Sequence, residues 1–112
     1  MTLKANLEIN NAIAEITLAG ELDANTAPLF KQQVERALIE NIQSLVLLMQ
    51  DLNYMASAGL RVLIFAKQKL GTAVDIYVIK PQAMVRETIE NTGFHHSVVI
   101  TDEYQSQLNT KS

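Results

Sequence analysis

An uninterrupted apolar run, residues 45–49 (Leu-Val-Leu-Leu-Met), constrains the fold of this chain more than any other segment. It has the length of a strand, and because side chains alternate between the two faces of a sheet, both of its faces are apolar. Such a strand is typical of the centre of a parallel sheet that is covered on its faces. A helical apolar pattern follows from Ser57 to Leu70 and is closed by Gly71, as expected for a helix that connects parallel strands.

Strand and helix patterns alternate along the rest of the chain. The first two strands flank Asn10-Asn11, a dipeptide that tolerates positive φ and predicts a hairpin. Gly20 is expected to end the second strand. In chain order, the predicted elements are strands 3–9 and 12–18, helix 26–40, strand 45–49, helix 57–70, strand 74–79, helix 81–93, strand 98–100, and a final helix capped by Thr101 or Asp102 that carries Tyr104 and Leu108.

This order predicts an α/β fold with a mostly parallel, mixed sheet, an antiparallel strand pair at the N-terminus and about four helices. A single domain over residues 1–112, with its core in 3–108, is expected because the chain has only 4 Gly and 2 Pro and no repeat at which to divide it. In sheets of this type, functional residues collect beyond the carboxyl ends of the strands.

Composition excludes several classes of function. The chain has no cysteine, which rules out zinc-thiolate sites, iron-sulfur clusters, thiol catalysis and disulfides. Its 9 Lys and Arg against 12 Asp and Glu, with a net charge of -3 and no basic run, argue against nucleic acid or an anionic membrane as the partner. The N-terminus lacks an apolar signal segment, and no stretch approaches the roughly 20 apolar residues of a membrane span, so a cytoplasmic protein is expected.

The segment from Asp51 to Leu60 is interpreted as a loop that places one hydroxyl where the central strand is followed by a helix. From spacing alone, Ser57 is expected to be the N-cap, with its side-chain oxygen accepting an N–H from Gly59 or Leu60. Capping is a common role for serine, so this structural interpretation stands beside any functional one.

The same segment resembles the signature of the STAS domain of bacterial anti-sigma factor antagonists. That signature is an Asp, a polar residue two positions on, then Asp-Ser-Ser-Gly or Asp-Ser-Thr-Gly and a Leu at the start of the second helix. A second family element, Gly-x-Leu-Asp after the second strand, resembles residues 20–23 (Gly-Glu-Leu-Asp), and the length and element order also agree. The positions that match the first signature are Asp51, Asn53, Ser57, Gly59 and Leu60.

The resemblance implies a binding protein with no catalysis of its own. Its partner would be a kinase-type anti-sigma factor that phosphorylates Ser57 and then releases the modified protein, with a serine phosphatase as a further partner. ATP would belong to the kinase, so the chain itself needs no cofactor and no metal. Phosphate adds about −1.5 to −2 charges to an interface, while a helix N-terminus tolerates an anion. Arg61, one turn on, either reaches the phosphate or simply faces solvent.

Two positions depart from the signature. Ala56 replaces the usual acidic residue, which puts in question any contact that this carboxylate makes with the kinase, and Ala58 replaces the second hydroxyl, which leaves Ser57 as the one acceptor in the motif. The resemblance implies a partner-binding surface around the serine and after the second strand. Its candidate residues are Asp23, Asn25, Asn53, Met55, Ala56, Ala58, Gly59, Leu60 and Arg61.

Several of these residues also have structural interpretations. Asp23, Asn25 or Thr26 can cap the first helix, and Asn53 can serve as a turn residue. Exposed apolar side chains at Met55 and Leu60 would suit a partner interface, although one of the two is expected in the core.

Other classes of function stay open. Residues 55–59 form half of a Gly-x-Ser-x-Gly nucleophile elbow, but the first Gly is missing and the candidate bases are the adjacent His95 and His96 of a late loop, which also make a poor metal site. Asp51 and the Lys80-Pro81 step superficially resemble a phosphoacceptor receiver domain, yet the acidic pair that would hold Mg²⁺ after the first strand is absent. A third alternative keeps the STAS fold as a partner or scaffold in another regulatory or lipid-transport complex.

Overall fold

In the computed structural model, which describes residues 3–102, five strands lie side by side in chain order. The first pair is antiparallel and the other three pairs are parallel, which confirms the predicted mixed sheet. The predicted final helix with Tyr104 and Leu108 lies outside the described residues. The elements are β1 Leu3–Asn10, β2 Ile13–Leu22, α1 Ala27–Ile39, β3 Ser44–Met55, α2 Ser57–Leu70, β4 Asp75–Ile79, α3 Ala83–Asn91, a 3-10 helix Phe94–Ser97 and β5 Val99–Thr101.

The predicted hairpin between β1 and β2 is confirmed, with its turn one residue later than expected. Asn11 and Ala12 occupy the turn at φ 51° and 70°, and Asn10 pairs with Ile13 across it. Positive φ at both central residues is the mark of a type I′ turn, whose twist matches that of the flanking strands.

Gly20 does not end β2, contrary to the prediction, because the strand continues to Leu22. The backbone at Gly20 has φ 105°, and the β2–β3 register shifts between Thr17 and Ala19 and again between Gly20 and Glu21. Glycine thus accommodates an irregular stretch of strand here rather than a turn.

The predicted loop from Asp51 to Leu60 is wrong in its first half, because β3 runs on to Met55. Leu52 and Met55 are three residues apart and would point to opposite faces of a regular strand. Both are nevertheless buried in the same core cluster, since the register shifts against β2 rotate the end of β3. Strand and helix are therefore joined by Ala56 alone.

The main core lies between the sheet and the three α-helices. Its composition confirms the apolar stripes that the sequence predicts for these helices. Phe30 and Val34 of α1, Leu63 of α2, and Val85 and Ile89 of α3 are each 0% exposed and belong to one cluster with alternate residues of β2, β3 and β4. Truncating a buried residue of this kind to Ala typically costs about 2–5 kcal/mol. Within residues 3–102, no helix has the length and apolar character needed to cross a membrane.

Candidate functional site

Three strand-to-helix connections meet at one edge of the sheet, as expected for parallel strands. They are residues 23–26 between β2 and α1, Ala56 between β3 and α2, and residues 80–82 between β4 and α3. We call this the carboxyl edge. It brings Asp23 and Ser57, which are far apart in sequence, to the same end of the molecule, as the sequence predicts.

Ser57 is the first residue of α2 and is not its N-cap, so the predicted capping role is wrong. The N-cap is Ala56, at φ −89° and ψ 173°. Its N–H donates to the carbonyl of Leu22 at 2.8 Å, which extends the strand pairing up to the residue before the helix. The Ser57 hydroxyl is exposed and makes no hydrogen bond with residues 3–102.

The start of α2 also has open backbone donors. The N–H groups of Gly59 and Leu60 both donate to the carbonyl of Ala56, at 3.0 and 3.3 Å. Those of Ser57 and Ala58 have no acceptor among residues 3–102, as is usual for the first residues of a helix. An anion attached to the Ser57 oxygen would therefore lie beside unpaired N–H groups at the positive end of the helix dipole.

A compact hydrogen-bonded turn connects β2 to α1. The Asp23 carboxylate accepts the N–H groups of Asn25 and Thr26 at 2.9 and 3.0 Å, and the Thr26 hydroxyl accepts the N–H of Asp23 at 2.9 Å. The Thr26 hydroxyl also donates to the carbonyl of Glu21 at 2.8 Å. The pKa of the Asp23 carboxyl is lowered, mainly because the Thr26 N–H stabilises the charged form. Thr26 is the N-cap residue of α1, and Asp23 holds the turn that precedes it.

Gln82, which sequence reasoning missed, ties the β4–α3 connection to the end of β3. Its side-chain amide donates to the carbonyl of Gln50 at 2.9 Å and to the side-chain oxygen of Asn53 at 3.2 Å. Asn53 thus lies in β3 and is held by a neighbouring connection, rather than being the turn residue that its sequence position indicates. A single glutamine before a helix does not indicate hydrogen bonds to a distant strand, so the sequence could not predict this contact.

Met55 and Leu60 are both core residues, with side chains 1% and 5% exposed. The sequence predicts one of the two in the core and the structure places both there, so neither supplies exposed apolar surface for a partner. Gly59 is buried as well. It packs so closely on β2 that a Cβ built on it would lie 2.5 Å from Leu22 Cγ. These three residues lie in the core below the exposed residues of the site and present almost no side-chain surface to solvent.

Apolar surface at the carboxyl edge comes from residues that the sequence did not single out. Leu29 in the first turn of α1, Tyr54 near the end of β3 and Met84 in the first turn of α3 are 44%, 40% and 39% exposed. Leu29 and Met84 directly precede the buried Phe30 and Val85, so they lie outside the apolar stripes of their helices. Their exposure could therefore have been predicted from the sequence. Tyr54 is exposed because of the register shifts in β3, which the sequence does not show.

The remaining predicted residues lie at the surface around Ser57. Ala56 and Ala58 are half-buried, while Asn25 and Arg61 are exposed. Arg61 is in the second turn of α2 and forms no ion pair with any of residues 3–102.

The groups required by the alternative chemistries lie in two other parts of the fold, the 3-10 helix and β3. His95 and His96 stack with ring centroids 4.0 Å apart in the 3-10 helix that precedes β5, which places them toward the amino ends of the parallel strands. Asp51 lies in β3 and lines a depression of about 180 Å³ with Thr17, Leu48 and Ile79. No group of three or more His, Asp or Glu in the stretch 3–102 is placed to hold a metal ion.

Comparison with protein families gives a match over residues 4–107 to the STAS domain. Among curated proteins, the anti-sigma-F factor antagonist RsfB of Mycobacterium tuberculosis is 25% identical over 84 residues, which are 75% of this chain and 69% of RsfB.

Solved structures show the same fold at low sequence identity. An anti-sigma factor antagonist from Mycobacterium paratuberculosis superposes with a TM-score of 0.86 at 21% identity, over 97% of this chain and 93% of its own. The anti-sigma factor antagonist SpoIIAA in its unphosphorylated form gives a TM-score of 0.75 at 17% identity, over 96% of both chains. The phosphorylated form of SpoIIAA, from Bacillus, gives 0.75 at 16% identity, over 97% of this chain and 100% of its own.

Proposed function

Since this chain belongs to the STAS domain family, we propose that it acts as an anti-sigma factor antagonist in the bacterial cytoplasm. In this proposal it binds a kinase-type anti-sigma factor, and phosphorylation of Ser57 by that partner ends the binding. The observation that carries the proposal is the exposed Ser57 hydroxyl, which has no hydrogen bond within residues 3–102 and lies at the first residue of α2.

The relatives support this function. RsfB is an anti-sigma-F factor antagonist, and SpoIIAA is an anti-sigma factor antagonist that exists in an unphosphorylated and a phosphorylated form. This chain superposes on both forms of SpoIIAA with the same TM-score, 0.75. A fold of this type is therefore compatible with the modified and the unmodified state.

The protein itself can carry a phosphate on Ser57 at little cost. The hydroxyl gives up no hydrogen bond to residues 3–102 when it is modified, and the open N–H groups of Ser57 and Ala58 favour an anion. The first turn of α2 contains no acidic side chain that would repel the phosphate. Modification should therefore leave the fold intact.

A bound partner, in contrast, would be strongly affected. In the proposed complex the partner covers the carboxyl edge, where Leu29, Tyr54 and Met84 supply exposed apolar surface. A phosphate brings about −1.5 to −2 charges, which would lose their water when the partner covers them. Unless the partner offers a matching cation, this cost weakens the complex.

The predicted site residues divide into two groups in this proposal. Asp23, Asn25, Ala56, Ala58 and Arg61 contribute surface around Ser57 that the partner contacts directly. The others act by holding the backbone of the site in place and are Asn53, Met55, Gly59 and Leu60. The chain is a substrate of the kinase and not an enzyme. The kinase supplies ATP, and a serine phosphatase removes the phosphate and so restores the form that binds the kinase.

Titration against a kinase-type anti-sigma factor from the same genome tests this function. We expect Ser57→Ala to bind as tightly as the wild type and Ser57→Glu to bind at least ~100-fold more weakly, a loss of about 2.7 kcal/mol. Ser97→Glu is the matched control, because Ser97 is exposed in the 3-10 helix before β5, away from the carboxyl edge. Equal affinities for Ser57→Glu and Ser97→Glu would refute the proposed switch.

A further inference from the structure

Positive charge collects around a single aromatic ring where α1 and α2 meet. The Lys31 Nζ of α1 lies 4.7 Å from the centre of the Phe65 ring of α2, and the Lys69 Nζ of α2 lies 5.8 Å from the same centre. Arg61 precedes Phe65 by one helical turn and Lys69 follows it by one turn, so these three residues share one side of α2. We call Lys31, Arg61, Phe65 and Lys69 the basic strip.

The charge of the basic strip is not neutralised by the part of the chain that the structure describes. Among residues 3–102, none of Lys31, Arg61 and Lys69 forms an ion pair. Glu35 follows Lys31 by one turn in α1 but does not pair with it. Helix α2 contains three basic side chains and no acidic one, although the whole chain has a net charge of -3. The positive charge is therefore local to this surface.

The arrangement around Phe65 favours an anion. An aromatic ring attracts a cation that lies within about 6 Å of its centre, and both ammonium groups meet this condition. They also repel each other, and a carboxylate placed between them would relieve this repulsion. Phe65 is half-buried and packs against the main core, so the ring holds the two cations in a defined place before any partner arrives.

We propose that the basic strip docks an acidic segment of the partner, with carboxylates of that segment beside Lys31, Arg61 and Lys69. This docking rests on the proposed function, because the segment belongs to the kinase-type anti-sigma factor. The basic strip is continuous with the carboxyl edge, since Arg61 follows Ser57 by one turn of α2 and Lys31 follows the exposed Leu29 by two residues of α1. A partner that covers the carboxyl edge therefore extends onto the basic strip.

The extent of the basic strip suits a short peptide segment better than a polyanion. Arg61 and Lys69 are eight residues apart, a rise of roughly 12 Å along α2. Three positive charges over this length match a short run of carboxylates, and the Phe65 ring adds apolar contact. A nucleic acid or an anionic membrane would present many more phosphates to a chain whose net charge is -3, and these would be repelled beyond the strip.

An acidic occupant also explains why phosphate on Ser57 would release the partner. Ser57 and Arg61 are four residues apart, a rise of roughly 6 Å, which is shorter than the Debye length of about 8 Å at physiological ionic strength. A phosphate of about −1.5 to −2 charges would offset the charge of Arg61 and repel the acidic segment. Such a partner has no cation here to match the phosphate.

Charge reversal in the basic strip tests this docking. Lys31→Glu and Lys69→Glu should each weaken binding of the anti-sigma factor at least ~5-fold in ~50 mM salt, and less in ~500 mM salt because salt screens exposed charges. Lys31→Gln and Lys69→Gln, which only remove a charge, should show a smaller loss with the same salt dependence. Lys31→Arg should bind like the wild type.

Lys4→Glu is the matched control, because it changes the net charge by the same amount. Lys4 is exposed in β1 and follows the buried Leu3, so it lies on the sheet face turned away from the helices. This variant should change the affinity by less than ~2-fold, as expected for a charge several Debye lengths from the partner.

The outcomes separate this docking from the proposed function. If Lys31→Glu and Lys69→Glu bind as tightly as Lys4→Glu while Ser57→Glu still binds weakly, the acidic docking is overturned and the proposed function stands. A wild type that binds the anti-sigma factor at neither salt concentration would refute both. Wild-type binding to duplex DNA or phosphatidylserine vesicles that is lost in Lys31→Glu and Lys69→Glu would assign the basic strip to a polyanion and also overturn the proposal.

Discussion

Gly59 of α2 lies so close to Leu22 of β2 that a Cβ added at position 59 would be 2.5 Å from Leu22 Cγ. The same Cβ would be 3.3 Å from Met55 Cγ in β3. The first turn of α2 therefore packs directly on the ends of two strands. This contact limits how closely the N-terminus of α2, which carries Ser57, can approach the ends of the two strands.

Gly59→Ala should lower the free energy of unfolding by about 1–3 kcal/mol, because overpacking outweighs the gain in helix propensity of about 1 kcal/mol. Urea denaturation measures the change. In the double variant Leu22→Ala/Gly59→Ala, the alanine Cβ enters the space left by the leucine, so the cost of Gly59→Ala should largely disappear. An undiminished cost in that background would contradict the proposed contact.

Positions 56 and 57 should respond to substitution in opposite ways. Ser57→Ala should change the free energy of unfolding by less than about 0.5 kcal/mol, since the hydroxyl makes no hydrogen bond with residues 3–102. Ala56→Ser should raise it by about 1 kcal/mol, because Ala56 is the N-cap and a serine there can accept an N–H of the first turn. Thermal or urea unfolding distinguishes this from a capping Ser57, for which Ser57→Ala would be the destabilising change.

Asp23 should contribute to acid-dependent stability. Its pKa is lowered in the folded state, first by the Thr26 N–H, so its charge stabilises the fold above the unfolded-state pKa of about 3.9. This contribution is lost as the pH falls through the lower folded-state pKa. Asp23→Asn should therefore lose less stability than the wild type between about pH 5 and pH 2.

Urea denaturation across that pH range is the measurement for Asp23. Asp75→Asn serves as the control, because Asp75 is exposed and its carboxylate makes no hydrogen bond with residues 3–102. Identical acid profiles for Asp23→Asn and the wild type would argue against a stabilising turn.

The exposed apolar residues of the carboxyl edge should matter for binding and not for folding. Leu29→Ser, Tyr54→Ser and Met84→Ser should each weaken binding of the anti-sigma factor by ~10-fold or more, about 1.4 kcal/mol, with little change in melting temperature. Ile39→Ser is the matched control, since Ile39 is 81% exposed at the opposite end of α1. Calorimetric titration would contradict the proposed interface if Ile39→Ser weakened binding as much as the others.

The sequence predicted elements whose signals are local. Helix α2 has the predicted bounds, Ser57–Leu70, because an apolar stripe and the following Gly71 define it. The hairpin and the parallel strands were likewise predicted, since periodicity and turn residues act over a few positions.

Features that depend on pairing with a distant strand were not predictable in this way. The register shifts between β2 and β3 extend both strands, bury Leu52 and Met55 together and make Ala56 the N-cap. None of these consequences can be derived from the residues of β3 alone, because they depend on β2, more than twenty residues away in sequence. The resemblance to the family signature made Ser57 a candidate without this information, since a motif records the outcome of such packing.

The most direct test is to incubate the protein with the kinase-type anti-sigma factor and Mg-ATP, map the phosphate by intact mass and peptide analysis, and measure binding of the purified product. We predict one phosphate, on Ser57, stable to mild base and hydroxylamine, and a phosphorylated protein that no longer binds the kinase. A base-labile phosphate on Asp51, phosphate at another serine, or unchanged binding after modification of Ser57 would contradict the proposed switch.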